Sequence, residues 1–304
     1  MRQLEPGLRL VRAPNPSPMT AEGTNSYIVG EGEVAVIDPG PDDPAHLAAL
    51  LAALRPGERV SHILVTHAHR DHSPLARTLA EATGAPVLAH GRAEEGRSQT
   101  MAALAAAGHA GGGEGVDTGF APDRRLSDGD VVEGAGWRLT ALHTPGHMAG
   151  HLSFAWDDRL FSGDHVMGWA SSLISPPDGD LAAFVASCRR LAARRWRVFH
   201  PGHGAPVSDP AARLAWLIAH RQARHAALAE ALARGLETVP ALTAAIYAGT
   251  PPALLPAAER NVFAHLVALV ESGAATASPA LGPAARYRPA EAPETTGRSR
   301  PPLL

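Results

Sequence analysis

Three histidines and an aspartate crowd into six residues, His67-Ala-His69-Arg70-Asp71-His72, directly behind the hydrophobic run Val60-Ser-His-Ile-Leu-Val-Thr66. The run has the pattern of a buried strand, so the polar cluster lies on the loop that leaves a strand end. Two His separated by one residue converge on a metal from such a turn, and Asp71 with His72 can face a second metal from the same loop. Imidazole and carboxylate are borderline-to-hard donors suited to Zn, Fe or Mn. A solvated His-rich loop is the bland alternative. It is disfavoured by the density of donors and by their place behind a strand.

Three more segments repeat the arrangement. His143-Thr-Pro-Gly-His147 follows the strand pattern WRLTAL, Ser162-Gly-Asp164 follows RLF, and Pro201-Gly-His203-Gly204 follows RVF. Each sets a metal-capable side chain at a strand end beside a Gly or Pro that turns the chain. Singly they are weak signals. Together they point to one site at one edge of a sandwich.

The remaining pattern supplies that sandwich. Strands are expected at 24–30 and 33–38, the latter ending at Asp38-Pro39-Gly40, and at 86–89, 131–132, 137–142, 152–156, 159–163 and 198–199. Helical spacing covers 44–55, 74–83, the first part of 93–120, and 180–195. Strands in both halves with helices between them predict an α/β sandwich of two mixed sheets over residues 1–209. The texture then changes. A long Ala/Leu/Arg helix is expected over 210–234, a second capped by Thr238 and running to Tyr247, and a third from Pro256 to Glu271, with Gly235 and Gly273 as stops. These place a small helical domain at 210–289. Residues 290–304 read as a disordered, Pro-rich polar tail.

The motif set resembles the metallo-β-lactamase superfamily across roughly residues 20–205. The resemblance implies an αββα sandwich and two divalent metal ions, zinc first and manganese or iron as alternatives. Carried over position by position, it implies His67, His69 and His147 on one metal, Asp71, His72 and His203 on the other, and Asp164 bridging both. Asp38 would support the His loop from behind. Gly23-Thr-Asn-Ser-Tyr-Ile-Val29, Leu160 to Met167, Pro176-Pro-Asp-Gly-Asp180 and His220-Arg221 further resemble the beta-lactamase-like protein 2 branch, which implies a C-terminal winged-helix-like module with Ala274–Arg288 as its wing. Ser73-Pro74 departs from the small glycines many relatives carry there, which alters the rim of the site more than its ligands.

Within that resemblance, antibiotic hydrolysis is disfavoured, because true β-lactamases of this fold carry Cys or Ser where this chain has Asp164. The ligand set is that of the glyoxalase II, ribonuclease and lactonase-like branches. It implies a metal-dependent hydrolase in which a metal-bound water is the nucleophile and Asp71 and Asp164 are the catalytic carboxylates. Such machinery serves thioesters, lactones and phosphodiesters alike. A small thioester or ester is the leading expectation. Single-stranded RNA, cut as by an endoribonuclease, is the alternative implied by the branch.

Composition narrows the classes further. The 304 residues include no Lys, every fixed basic charge being Arg, which excludes Schiff-base chemistry and a P-loop lysine. The net charge of −3 gives no global field towards nucleic acid, although residues 1–210 hold 18 Arg against 24 acidic residues and the rest 9 against 6. Cys188 alone excludes a disulfide framework and is read as a buried small hydrophobe. No run of 18 apolar residues occurs, so no membrane partner is expected. Met1–Thr20 lacks the apolar segment of a secretory leader, and a cytoplasmic protein is the expectation.

His143, His151 and His165 are read as structural more than functional, and Asp178 and Asp180 as turn chemistry. His220, Arg221 and Arg224 read as a solvated helix face with a substrate-anion contact as the second option. Glu259, Arg260, Asn261 and His265 do not make the basic helix expected of a nucleic-acid reader. The C-terminal domain is expected to be a lid over the substrate pocket or the surface of a homodimer.

Overall fold

In a computed structural model that describes residues 1–290, two sheets stack face to face with helices on both outer sides. The first sheet runs in chain order through β1 (Arg2–Glu5), β2 (Leu8–Arg12), β3 (Asn25–Val29), β4 (Glu33–Ile37), β5 (Arg59–Leu64), β6 (Val87–Ala89) and β7 (Arg124–Arg125). Its first four strands are antiparallel neighbours, and β4 to β7 are parallel. The second sheet holds β8 (Val131–Gly134), β9 (Trp137–His143), β10 (Leu152–Trp156), β11 (Arg159–Gly163) and β12 (Val198–Pro201), antiparallel except for the β11–β12 pair.

Alternation along the strands decides what fills each layer. Leu8, Tyr27, Ile37 and Leu64 face Leu139, Leu152, Phe154 and Phe161 between the sheets. On the outer side of the first sheet, Val34, Val36 and Ile63 pack against α1 (Pro44–Ala52) and α2 (Leu75–Thr83). A short α3 (Gln99–Ala106) follows. On the outer side of the second sheet, Leu160 and Phe199 pack against Phe184 and Cys188 of α4 (Leu181–Ala192) and Leu214 and Leu217 of α5 (Pro210–Ala233). Asp43, Asp180 and Asp209 cap three of these helices through their carboxylates, which fixes where each begins.

The C-terminal part continues with α6 (Val239–Ile246), a 3-10 turn at Pro252–Leu254, α7 (Leu255–Glu271) and the hairpin β13 (Ala275–Ser278) to β14 (Arg286–Pro289). Its core joins Leu228, Leu242, Phe263, Leu266 and Tyr287 with Met101 and Leu104 of α3, while Ala264 and Ala268 of α7 enter the layer outside the second sheet. The module is therefore packed onto the sandwich on two sides. Pro252–Glu271 is, among the described residues, the one stretch long and apolar enough by composition to cross a membrane, with a mean hydropathy of 1.3, and half of it is buried in this packing. Of the tail read at 290–304, Ala290 donates to the Ala274 carbonyl at 2.9 Å, and residues 291–304 lie outside the described residues.

Most expected elements fall within a few residues of their observed bounds, and the hairpin β13–β14 occupies the segment read as a wing. Strands β1, β2 and β7 are additions to the sequence reading. Arg9 breaks the apolar pattern of β2, yet it is fully buried, pairing with Glu58 at 2.7 Å and donating to the Ala53 carbonyl at 2.8 Å.

The two sheets are stitched where the functional loops emerge. Asn25 donates through Nδ2 to the carbonyls of Pro201 and Gly204 at 3.0 and 2.9 Å, and the Tyr27 hydroxyl donates to Pro201 O at 2.7 Å. Thus the Gly23–Val29 segment fixes the turn that carries His203. Gly202 in that turn admits no side chain, since a Cβ would run into Asp164 Oδ1 and lie 2.6 Å from His72 Cε1. Gly146 has φ of 145°, and a Cβ there would sit 2.7 Å from the Phe184 backbone nitrogen.

His200, on β12, is buried between Tyr27 and Phe161, and among the described residues neither of its ring nitrogens finds a hydrogen-bond partner. Burial lowers its pKa from 6.5 to about 4. The unfolded chain takes up a proton near pH 6.5 that the folded chain refuses until about pH 4, so stability is lost as pH falls through this window. His200→Phe removes that loss. Its stability advantage over the parent in urea unfolding is expected to widen between about pH 7.5 and pH 5, and a constant difference would contradict the neutral buried state.

Candidate metal centre

The loops leaving β5, β9, β11 and β12 meet at one edge of the sandwich and bring seven donor side chains together. His67, His69 and His147 form one group and Asp71, His72, Asp164 and His203 another, with the candidate donor atoms of each group within 4.8 Å of one another. In the first, His67 Nε2 and His147 Nε2 each lie 3.0 Å from His69 Nδ1. In the second, Asp71 Oδ2 is 3.0 Å from His203 Nε2 and 3.5 Å from His72 Nε2. Asp164 stands between the groups. Its oxygens are 3.5 Å from His72, 3.3 Å from His203 and 3.7 Å from His147.

Outer hydrogen bonds decide which nitrogen faces inward in four of the five rings, all but His69. Asp38 accepts from the Thr66 backbone nitrogen at 2.7 Å, from the Thr66 hydroxyl at 2.8 Å and from His72 Nδ1 at 2.9 Å. With its proton committed to Asp38, the Thr66 oxygen accepts from His67 Nδ1 at 2.9 Å. His147 donates through Nδ1 to the Leu173 carbonyl at 2.7 Å, and His203 Nδ1 donates to the Gly23 carbonyl at 3.4 Å. Four rings therefore hold their protons outward and turn Nε2 into the centre. Asp164 Oδ1 is buried there with no hydrogen-bond donor among the described residues. Converging lone pairs and an unmatched buried carboxylate oxygen are what cations resolve, so the donor set fits a pair of divalent ions.

Electrostatics agree. Burial, reinforced by the neighbouring imidazoles, holds His67 well below its usual pKa and His69 at about 3, which keeps both in the neutral form that binds metal. At the second group burial opposes charge on His72 and His203, but the carboxylates outweigh it. Asp71, Asp164 and Asp38 hold His72 well above its ordinary value, and Asp164 and Asp71 push His203 up to about 9. In return the imidazoles overcome burial to keep Asp71 and Asp164 ionised, well below the usual carboxylate range. This pocket favours positive charge, which protons supply on the imidazoles and which a divalent cation supplies by displacing them.

Residues read as secondary take varied places. His151 packs against His67, with ring centroids 5.1 Å apart and Nδ1 bonded to the Thr144 hydroxyl, and belongs to neither donor group. His143 stacks on His90, and His165 packs on Phe184 with Cys188 Sγ 3.6 Å away. Asp178 pairs with Arg97 at 2.7 Å, and Asp180 caps α4.

The solvated face read at His220, Arg221 and Arg224 is corrected at Arg221, which is 1% exposed. Arg221 donates to the Ser172 carbonyl and, at 2.9 Å, to Asn261 Oδ1, which also accepts from Ile174 N at 3.2 Å. Helices α5 and α7 thus grip both sides of Leu173, whose carbonyl orients His147. Neither this grip nor the Thr66 relay was read from sequence. The only signal available was Thr66 standing directly before the His cluster.

Removing Asp38 frees the His72 ring to turn. Asp38→Ala is expected to lower affinity for the cation facing Asp71, His72 and His203 about 10- to 100-fold, measured by competition with a chromophoric chelator. An unchanged affinity would mean that His72 is oriented by something else.

Comparison with known proteins places these features in a family. The metallo-beta-lactamase superfamily model matches residues 19–221, and the beta-lactamase associated winged helix domain matches 238–279. A beta-lactamase-like protein 2 homolog from Drosophila melanogaster is 29% identical over 276 residues, which cover 85% of this chain and 86% of that one. An atrochrysone carboxyl ACP thioesterase from Aspergillus terreus is 29% identical over 238 residues, 77% of this chain and 66% of the relative, so just under two thirds of its length is spanned. The crystal structure of a metallo-beta-lactamase family protein from Thermus thermophilus superposes with a TM-score of 0.74 at 31% identity, over 94% of this chain and 100% of that one. With its αββα sandwich, paired His/Asp clusters and trailing winged helix, the chain belongs to the metallo-beta-lactamase superfamily and is a metal-dependent hydrolase.

Proposed function

We propose that the chain hydrolyses small thioesters or esters in the cytoplasm, using two zinc ions. His67, His69 and His147 would hold one ion and Asp71, His72 and His203 the other, with Asp164 between them. The observation that carries this reading is the inward-facing set of imidazole nitrogens locked from behind by Asp38, Thr66, Leu173 and Gly23. Held there, two divalent ions would supply a water with its pKa lowered to about 7 and a Lewis acid for an acyl carbonyl. Asp71 and Asp164, ionised beside the bound cations, would accept hydrogen bonds from the attacking water and orient it. No side-chain nucleophile is needed. Cys188 is buried, its thiol pushed up to about 12, and the chain has no lysine.

Two further points favour an acyl substrate over RNA. Relatives named as thioesterases recur, among them thioesterase pkgB of Emericella nidulans, 30% identical over 218 residues. Arginines beside the site are also engaged within the protein. Arg97 pairs with Asp178, Arg213 donates to the carbonyls of Met167 and Ala170, and Arg260 donates to Ala110 O and Ser175 Oγ. A phosphodiester chain needs several free cations along its path.

A panel of thioesters, lactones and fluorogenic single-stranded RNA at matched enzyme concentration tests the reading. Thioester or ester turnover is expected, abolished by 1,10-phenanthroline, restored by zinc, and preserved in Cys188→Ala. Asp164→Ala is expected to lose more than about 100-fold in kcat/KM, the scale seen on removing a group that stabilises developing charge. RNA cleavage with the acyl substrates untouched would reverse the assignment, and a trapped acyl-enzyme would overturn the mechanism.

A further inference from the structure

A cleft of about 240 Å³ opens beside the metal centre, and its walls come from both halves of the molecule. Met167, Trp169 and Leu173 belong to the sandwich, Met19 to the turn before β3, and Tyr247 and Leu254 to the C-terminal module. Among the described residues, no charged side chain lines it. Its one amide, Asn261, is already matched, since Oδ1 accepts from Arg221 and Ile174 and Nδ2 donates to Ala257 O at 3.1 Å. Besides the hydroxyls of Ser171, Tyr247 and Thr250, what remains facing the cleft is hydrocarbon, aromatic ring and thioether.

Three walls are tied to donor residues. The carbonyl of Leu173 receives the His147 Nδ1 proton. The Trp169 ring lies over Gly204, next to His203, so closely that a Cβ at Gly204 would collide with it. Met167 follows Asp164 by three residues on the same loop. The cleft thus adjoins the segments that carry the donors, and it offers no charged partner to a phosphate or a charged peptide.

We propose that this cleft receives the apolar acyl part of the substrate, and that the C-terminal module thereby selects acyl length. This deepens the ester and thioester reading and rests on it for turnover, though not for binding. Burying one methylene corresponds to about 0.8 kcal/mol, or about a fourfold gain. From acetyl to hexanoyl thioesters, kcat/KM is expected to rise about fourfold per methylene and then level off as the cleft fills.

Two filling variants, Ala257→Trp on α7 and Thr250→Trp on the turn before it, are each expected to flatten that rise and lower the hexanoyl-to-acetyl ratio at least about tenfold. Each is checked for an unchanged melting profile first, and the two sites are independent enough that one survives a folding failure of the other. A non-hydrolysable octyl thioether supplies the second readout by calorimetry. It should bind the parent with a negative heat-capacity change, the mark of apolar burial, and bind the filled variants at least about tenfold more weakly. Turnover without chain-length dependence, or a dependence the fillings leave intact, overturns the subsite and leaves the hydrolase reading standing. Thioether binding weakened by the fillings, without turnover of any thioester, does the reverse. Absence of thioether binding overturns the subsite outright.

Discussion

The Asp38 carboxylate accepts three hydrogen bonds where β4 ends, and the direction of the centre's donors starts from them. The residue sits at φ of 50°, a left-handed conformation that few non-glycine residues adopt and that Asp tolerates better than most. Its backbone nitrogen is held by Leu64 O at 2.8 Å, so the carboxylate is aimed by the sheet itself. One oxygen takes the Thr66 amide. The other takes both the Thr66 hydroxyl and the His72 ring, which commits the Thr66 proton and leaves its oxygen to orient His67. A single acidic side chain thereby fixes one ring in each donor group.

The donors themselves were legible because they lie at strand ends beside Gly and Pro, and local pattern marks strand ends well. Long-range partners were not. Arg221 reads as solvated on a helix face because its partners, Asn261 and the Ser172 carbonyl, are 40 and 49 residues away. Arg9 disguises β2 for the same reason, its charge being matched by Glu58 at 49 residues' separation. A buried cation looks like a surface one until its acceptors are placed. The outward hydrogen bonds of His147 and His203 were equally hidden, since both end on backbone carbonyls, Leu173 and Gly23, that carry no side-chain signal.

The module after residue 209 had three readings, as a lid, a dimer surface or a nucleic-acid reader. Its packing bears on the last. Leu214 and Leu217 of α5 and Ala264 and Ala268 of α7 complete the layer outside the second sheet, and Arg260 reaches the Ala110 carbonyl of the sandwich. The Glu259–Asn261 stretch therefore turns towards the sandwich, where a groove-reading helix would need to be free. The coupling also makes the module a poor candidate for excision, because cutting before Pro210 would bare the apolar face of β11, β12 and α4.

This arrangement divides the work unevenly along the chain. All seven candidate donors lie between His67 and His203, while the cleft beside them draws walls from Tyr247, Leu254, Ala257 and Asn261. Reaction type and substrate choice can then vary separately, except where one residue serves both. Asn261 is such a residue. It lines the cleft and, by accepting from Ile174 N, braces the segment whose Leu173 carbonyl orients His147. Ala257, one helical turn earlier, touches the cleft and contributes to the bracing only through its backbone. A change of side chain at Ala257 therefore reaches selectivity alone, whereas a change at Asn261 must reach the metal centre as well.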